Sequence, residues 1–330
     1  MKYMFKSLFH SSLKRMWSTV VSCSKKSNKP KLVIFFDMVY CVLKYEAGYV
    51  DYEMFEFYNL NKEQRKTILT RGKNNKIVKE LNNQDYVYIM ENKEIFNKTY
   101  KKYLNRDYLV LTNDNYNEFE KFVKNKEYIF VKPIEATGGK GAEKIKIEKG
   151  QTKELYEKLL SQKQNLIEEI AVQHEDISKL HPASINTIRI VTLRNKFGVT
   201  SIVASVIRMG TGNNVVDNFH SKGIYSPVDI ETGKIIGNGY DRTWTYHKVH
   251  PTTKIKLIGY KLPLWEETKA LVLEAAEVTK QIGLVGWDIC IGKEKPSIIE
   301  ANPYPGYDLY KREDNYGALP VFEKALNKQK

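Results

Sequence analysis

Between Thr187 and Ala301 the chain carries four runs of aliphatic and β-branched residues: Thr187 to Leu193, Val199 to Met209, Leu284 to Ile291 and Pro296 to Ala301. Such runs are strands. Ionisable side chains stand alone within or beside them: Arg189, Arg208, Asp288 and, at the end of the last run, Glu300. A lone charge in an apolar strand needs a partner, because burying it unpaired is costly. Glu300 and Asn302 are two apart and share a face. With Asp288 on a neighbouring strand they make a hard-cation set suited to Mg²⁺ held jointly with substrate phosphates. A solvent-facing strand end also suits Asn302, but not Asp288, which stands between Trp287 and Ile289. A single strand arginine reads as a structural ion-pair partner. Arg189 and Arg208 together read as a clamp for a transferring phosphate or an anionic intermediate.

Upstream, Glu127 to Lys132 is a strand stopped by Pro133, and Ala142 to Ile147 is its return. The tip Thr137-Gly138-Gly139-Lys140-Gly141 lets backbone N–H groups close on an anion. It is neither a Walker A loop nor a GxGxxG opening a helix, since a strand follows. Lys132, just before the tip, stands where it can meet an α- or β-phosphate; without the loop it would read as an outward strand lysine. Thr152 to Ser161 reads as a helix and Asn165 to Ile170 as a short strand. Leu264 to Ile282 reads as one helix, with Leu271, Ala275, Val278 and Ile282 on a face and Gly283 at C′. Residues 32–125 read as mainly helical, with helix starts at Asn61 and at Asp114 or Asn115. The fold class is α+β with an antiparallel core.

The net charge of +14 invites a nucleic-acid reading, but 44 of the 53 basic residues are Lys and only nine are Arg. Arg is the residue suited to bidentate phosphate and base contacts, so no nucleic-acid partner is expected. Residues 1–31 carry eight basic residues and no acid, which leaves +6 for the remainder. The spacing of Phe5, Leu8, Phe9, Leu13, Met16 and Trp17 approximates one helical face. This basic arm, residues 1–30, reads either as a packing helix or as a peripheral contact with an anionic membrane. No signal-peptide pattern or spanning segment is evident, and the expected location is cytoplasmic, with the inner membrane face as the peripheral site. Cys23, Cys41 and Cys290 are far apart and read as reduced thiols. The six histidines show no HExxH spacing and no GxSxG elbow occurs, which disfavours zinc and serine hydrolases.

Lys132, the 137–141 loop, Leu166 to Ile170 (LIEEI), Asn186-Thr187-Ile188-Arg189, and Asp288 with Glu300-x-Asn302 resemble the ATP-grasp fold in order and spacing. More narrowly, the chain is similar to the sugar-transfer-associated ATP-grasp family, found among capsule, teichuronopeptide and other surface-polysaccharide genes. His181 to Arg189 (HPASINTIR), Val216-Asp217-Asn218-Phe219, Gly286-Trp287-Asp288, Phe36-Asp37-Met38 and Tyr52 to Tyr58 carry that likeness. The resemblance implies two α+β subdomains gripping ATP behind a mainly helical extension. The expected division is 31–125 for the extension and 126–330 for the core, with 126–165 bearing the glycine loop and 166–330 the metal site. It further implies that Lys132, Gly138, Gly139, Lys140 and Gly141 hold ATP phosphates, with Lys98 as an additional nucleotide contact. Glu168, Glu169 and Ile170 become the hinge whose backbone reads adenine. Asp288, Glu300 and Asn302 become ligands of Mg²⁺ or Mn²⁺, and Arg208 and Asn218 resemble the ligase residues that meet the γ-phosphate and the acyl substrate, with Arg189 beside Arg208 as the third catalytic residue. The implied reaction is ATP-dependent ligation of a small-molecule carboxylate to an amine on a saccharide through an acyl phosphate. Rival readings are a kinase acting on a sugar or polyol hydroxyl, and a non-catalytic basic binding protein. After His220, where peptide-forming relatives commonly carry two glycines, this chain reads Ser221-Lys222-Gly223. The departure falls on the acceptor side.

Overall fold

The computed structural model describes residues 13–135, 141–213, 223–310 and 316–329. Gly138, Gly139, Lys140, Asn218 and Ser221-Lys222 lie outside those residues, as do the first twelve positions of the basic arm.

Two antiparallel sheets organise the chain. The smaller has the order β1 (Tyr108–Val110), β4 (Leu166–Glu168), β2 (Tyr128–Lys132), β3 (Glu143–Lys146). The Tyr116–Val123 and Thr152–Ser161 helices pack on it through Phe119, Val123, Tyr156 and Leu159, against Ile129, Val131 and Ile167. β2 and β3 form the expected hairpin, with Tyr128 opposite Lys146. The first two strands of this order cross the boundaries drawn from the sequence at 125/126 and 165/166. β1 lies in the supposed extension and β4 in the supposed metal-site half, yet each pairs within the small sheet. A three-residue strand has too little periodicity to announce its partner.

The larger sheet has seven strands in the order β11 (Pro296–Asn302), β10 (Leu284–Ile291), β5 (Ile188–Arg194), β6 (Thr200–Met209), β7 (Ile224–Pro227), β8 (Gly239–Tyr240), β9 (Tyr246–His247). One face buries Ile188, Ile190, Ile207 and Ile289 under the Trp265–Ala276 helix, through Trp265, Val272 and Ala275. The other face buries Val191, Val206 and Leu284 under the Arg71–Leu81 and Leu319–Leu326 helices, through Ile77, Val78 and Phe322. Being apolar on both faces, the central strands show little alternation, and β10 is buried at all eight positions.

The helix expected over Leu264 to Ile282 stops at Ala276. Beyond it, Ile282 bridges Asn82 and the Gly283 N–H donates to the Leu81 carbonyl at 2.9 Å. Gly283 is therefore not a helix cap. A Cβ there would lie 2.8 Å from the Arg194 carbonyl oxygen, so the glycine permits close backbone approach. The helical spacing of Val278 and Ile282 is coincidental, because long-range backbone pairing captures that segment.

The N-terminal helices Leu13–Ser27, Lys31–Tyr45 and Tyr49–Met54 share a core of Val20, Cys23, Ile34, Met38, Cys41 and Tyr52. Residues 13–27 are thus a packed helix rather than a free arm. Arg65 clamps Asp37 through both terminal guanidinium nitrogens, at 2.7 and 2.8 Å, and the Tyr52 hydroxyl donates to the same carboxylate. Cys23, Cys41 and Cys290 are buried and none is in a disulfide, and burial first of all pushes the Cys23 and Cys41 thiols up to about 12.

Candidate active site

Strand register assembles the first half of the site. Asp288 on β10 is opposite Arg189 on β5 and opposite Glu300 on β11. The three form one row across adjacent strands, where cross-strand side chains meet. Arg208 lies on β6, two residues beyond Val206, the partner of Arg189. It therefore projects from the same face as Arg189. Arg189 donates to both Asp288 oxygens, through Nε to Oδ1 and through Nη2 to Oδ2 at 2.9 Å. Arg208 Nη2 donates to Oδ2 at 2.8 Å and to Thr187 Oγ1 at 2.7 Å. Gly286, two residues before Asp288, leaves room for the arginine: a Cβ there would lie 3.2 Å from Arg189 Cδ. Trp287 points to the opposite face, where its indole N–H donates to Thr192.

Burial alone would raise the Asp288 carboxyl, but the Arg189 and Arg208 guanidiniums outweigh it and hold the group well below the usual carboxylate range. Glu300 shifts the other way. Its crowding by protein raises it first, and the neighbouring Asp288 charge and a hydrogen bond to Asp288 add to the rise. Solvent still reaches Glu300 through the cleft it lines. Two carboxyl groups that share a proton form a place where a cation can substitute for that proton.

The second half comes from the other sheet. A cavity of about 270 Å³ is lined by Lys93, Asn97 and Lys132 on one side and by Glu300, Asn302 and Tyr304 on the other. Lys132 Nζ lies 2.9 Å from Glu168, whose carboxylate also binds Arg106 and accepts from Asn97 at 2.7 Å. Burial opposes ionisation of Glu168, but Lys132 and Arg106 hold its carboxyl down to about 2. Arg106 continues to the larger sheet, donating to the Ile298 carbonyl at 2.7 Å and the Ile299 carbonyl at 3.2 Å. It is a strut between the sheets. Burial lowers the Lys93 amine, while Glu300 pulls in the opposite direction.

Of the residues singled out in the sequence, Lys132, Glu300 and Asn302 meet at this cavity, with Arg189, Arg208 and Asp288 behind Glu300. Lys98 does not join them: it is exposed on the Lys93–Thr99 helix, and Lys93 and Asn97 line the cavity instead. Lys98 follows the buried Asn97 and so projects away from the cavity. Glu168, Glu169 and Ile170 are also absent from its wall. The Glu169 N–H already donates to the Asp107 carbonyl at 3.0 Å, and its carboxylate pairs with Lys126. Gly141 stands at the root of the loop with φ +70° and its carbonyl accepts from Gln164. Sequence reasoning missed Lys93, Asn97 and Arg106. The scarcity of Arg, nine in the chain, was a signal available for Arg106.

The oxygen donors fit a hard cation with one change of roles. A carboxylate offers roughly four lone-pair positions, and N–H groups of Arg189 and Arg208 occupy three of them on Asp288. Glu300 and the Asn302 side chain face the cavity. Asn302 Oδ1 accepts the Tyr304 N–H at 2.8 Å and keeps a second lone pair. Among the described residues, no group of three or more His, Cys, Asp or Glu could hold a metal.

A family model described as sugar-transfer associated ATP-grasp matches residues 72–323. Among solved structures, the ATP-grasp ligase PsnB with its minimal precursor is 12% identical, with TM-score 0.45, 74% of this chain and 63% of that one covered. The D-alanyl-alanine synthetase A of Vibrio cholerae is 15% identical, with TM-score 0.43 and coverages of 73% and 62%. The Staphylococcus aureus N5-carboxyaminoimidazole synthetase with ADP is 13% identical, with TM-score 0.45 and coverages of 73% and 52%. The chain thus spans less than two thirds of the length of each. No curated protein matches.

Proposed function

Because the chain belongs to the sugar-transfer associated ATP-grasp family, we propose that it is an ATP- and Mg²⁺-dependent ligase joining a small-molecule carboxylate to an amine on a saccharide or its precursor. The observation that carries the reading is the facing of Lys93 and Lys132 against Glu300 and Asn302 across one cavity, with Arg189, Arg208 and Asp288 locked behind. Cations on one wall suit a polyphosphate, and oxygen donors on the other suit the divalent ion that accompanies it.

In this reading Lys132 and Lys93 bind and orient phosphate oxygens, while Glu168 and Arg106 hold Lys132 in place. Glu300 and Asn302 would hold Mg²⁺, with Asp288 completing the set by its remaining lone pair. Mg²⁺ bound there would neutralise charge on the phosphates. Arg189 and Arg208, fixed in advance by Asp288 and Thr187, supply positive charge where the transferred phosphoryl group develops negative charge, without reorganisation during the step. The carboxylate oxygen takes the γ-phosphoryl group as the bond to the β-phosphate breaks and ADP leaves; the amine then attacks the acyl carbon, phosphate leaves, and the amine's proton goes to phosphate or solvent. No nucleophilic side chain is required.

Carboxylate and amine pairs screened for ADP and free phosphate test this. Amide with one ADP and one phosphate per turnover is the expected result. Phosphorylated substrate without free phosphate would make it a kinase. A chain whose melting temperature ignores Mg-ATP and which releases no ADP with any pair refutes the assignment.

A further inference from the structure

We propose that the exposed face of the Lys31–Tyr45 helix, continued by the Leu13–Ser27 helix, is a docking surface for an anionic phospholipid bilayer. The inference does not depend on the ligase reading. Leu32, Phe36, Tyr40 and Leu43 recur at i, i+4, i+8 and i+11, and Val33 lies beside them. They do not face the core: Phe36 is 66% exposed, Leu32 64% and Leu43 57%. The opposite side of the same helix carries Ile34, Met38, Cys41 and Tyr45, all buried. On the first helix Leu13 and Trp17 are also exposed. The rings of Trp17, Phe35 and Phe36 follow one another at 6.3 and 5.5 Å, which joins the two helices into one patch. Contiguous apolar patches of this kind mark interaction sites.

Charge selects the partner. From Leu13 to Phe36 there are six basic residues (Lys14, Arg15, Lys25, Lys26, Lys29 and Lys31) and no acid. Of the acids that approach these helices, Asp37 is neutralised by Arg65 and Glu53 pairs with Lys26 at 3.1 Å. A second copy of this chain would bring like charge against like in a symmetric pairing. An anionic bilayer offers apolar depth under a layer of opposite charge. Among the described residues no helix is long and apolar enough to cross a membrane, so the contact lies along the interface.

The full chain is pelleted with vesicles of phosphatidylglycerol in phosphatidylcholine and with vesicles of phosphatidylcholine alone. Binding should be about tenfold or more tighter to the anionic vesicles and should weaken in high salt. Phe36→Ser with Leu43→Ser should lower it by about tenfold or more, with an unchanged thermal melt because both side chains are exposed. Equal binding to both vesicles, no binding to either, or undiminished binding by the double variant overturns the proposal. So does a dimer in buffer that the double variant dissociates while vesicles leave the chain in the supernatant.

Discussion

Glu168→Gln tests the strut that ties the sheets together. In the native chain one buried carboxylate compensates Lys132 and Arg106 and accepts from Asn97. Its pKa falls from an ordinary 4.5 to about 2. At about 1.36 kcal/mol per pKa unit the ionised form contributes about 3 kcal/mol to stability at pH 7. The folded-state value is depressed, so this contribution is present above the unfolded pKa and is lost as pH falls through the folded one. At pH 3 about 1 kcal/mol of it remains. Glutamine keeps the shape, removes the charge and leaves two buried cations facing each other. Urea unfolding of both proteins at pH 7 and pH 3 should therefore give a difference of about 3 kcal/mol that shrinks to about 1 kcal/mol. A difference below about 1 kcal/mol at pH 7, or one that does not shrink on acidification, would refute the reasoning.

Mn²⁺ binding, read by electron paramagnetic resonance, should weaken about tenfold per pH unit below the raised pKa of Glu300, because the proton it shares with Asp288 competes with the ion; Glu300→Gln should abolish that slope. Lys93→Ala should raise the KM for ATP about tenfold or more, while Lys98→Ala, on the exposed side of the same helix, should leave it unchanged; steady-state ADP release decides between them. Gly286→Ala should cost about 1–3 kcal/mol in a denaturant melt, since the new methyl would meet Arg189 and Pro305 at 3.1–3.3 Å.

Much of the site was legible because its signals are local. Asp288 amid Trp287 and Ile289 announces a buried charge, and the two-residue step from Glu300 to Asn302 announces a shared face. The Lys132-Pro133 stop before the glycine tip announces a hairpin, and β2 and β3 do pair. Lys98 lies away from the cavity for a local reason of another kind: a motif spacing says that a lysine is near, but not which side of a short helix it leaves from. Lys93, five residues earlier, occupies the cavity wall.

The sequence by itself determined the α+β class, the strands, the lone charges within them and the family to which they belong. Those follow from side-chain periodicity and from the cost of burying an unpaired charge, which neighbouring residues already express. Only the tertiary structure decided the partners. Arg189 and Asp288 are 99 positions apart and meet because β5 and β10 are adjacent in one register. Arg106 reaches both Glu168, 62 positions along the chain, and Ile298, 192 positions along it. Register and strand order are properties of long-range pairing, and a shift of one residue would turn every one of these side chains to the opposite face.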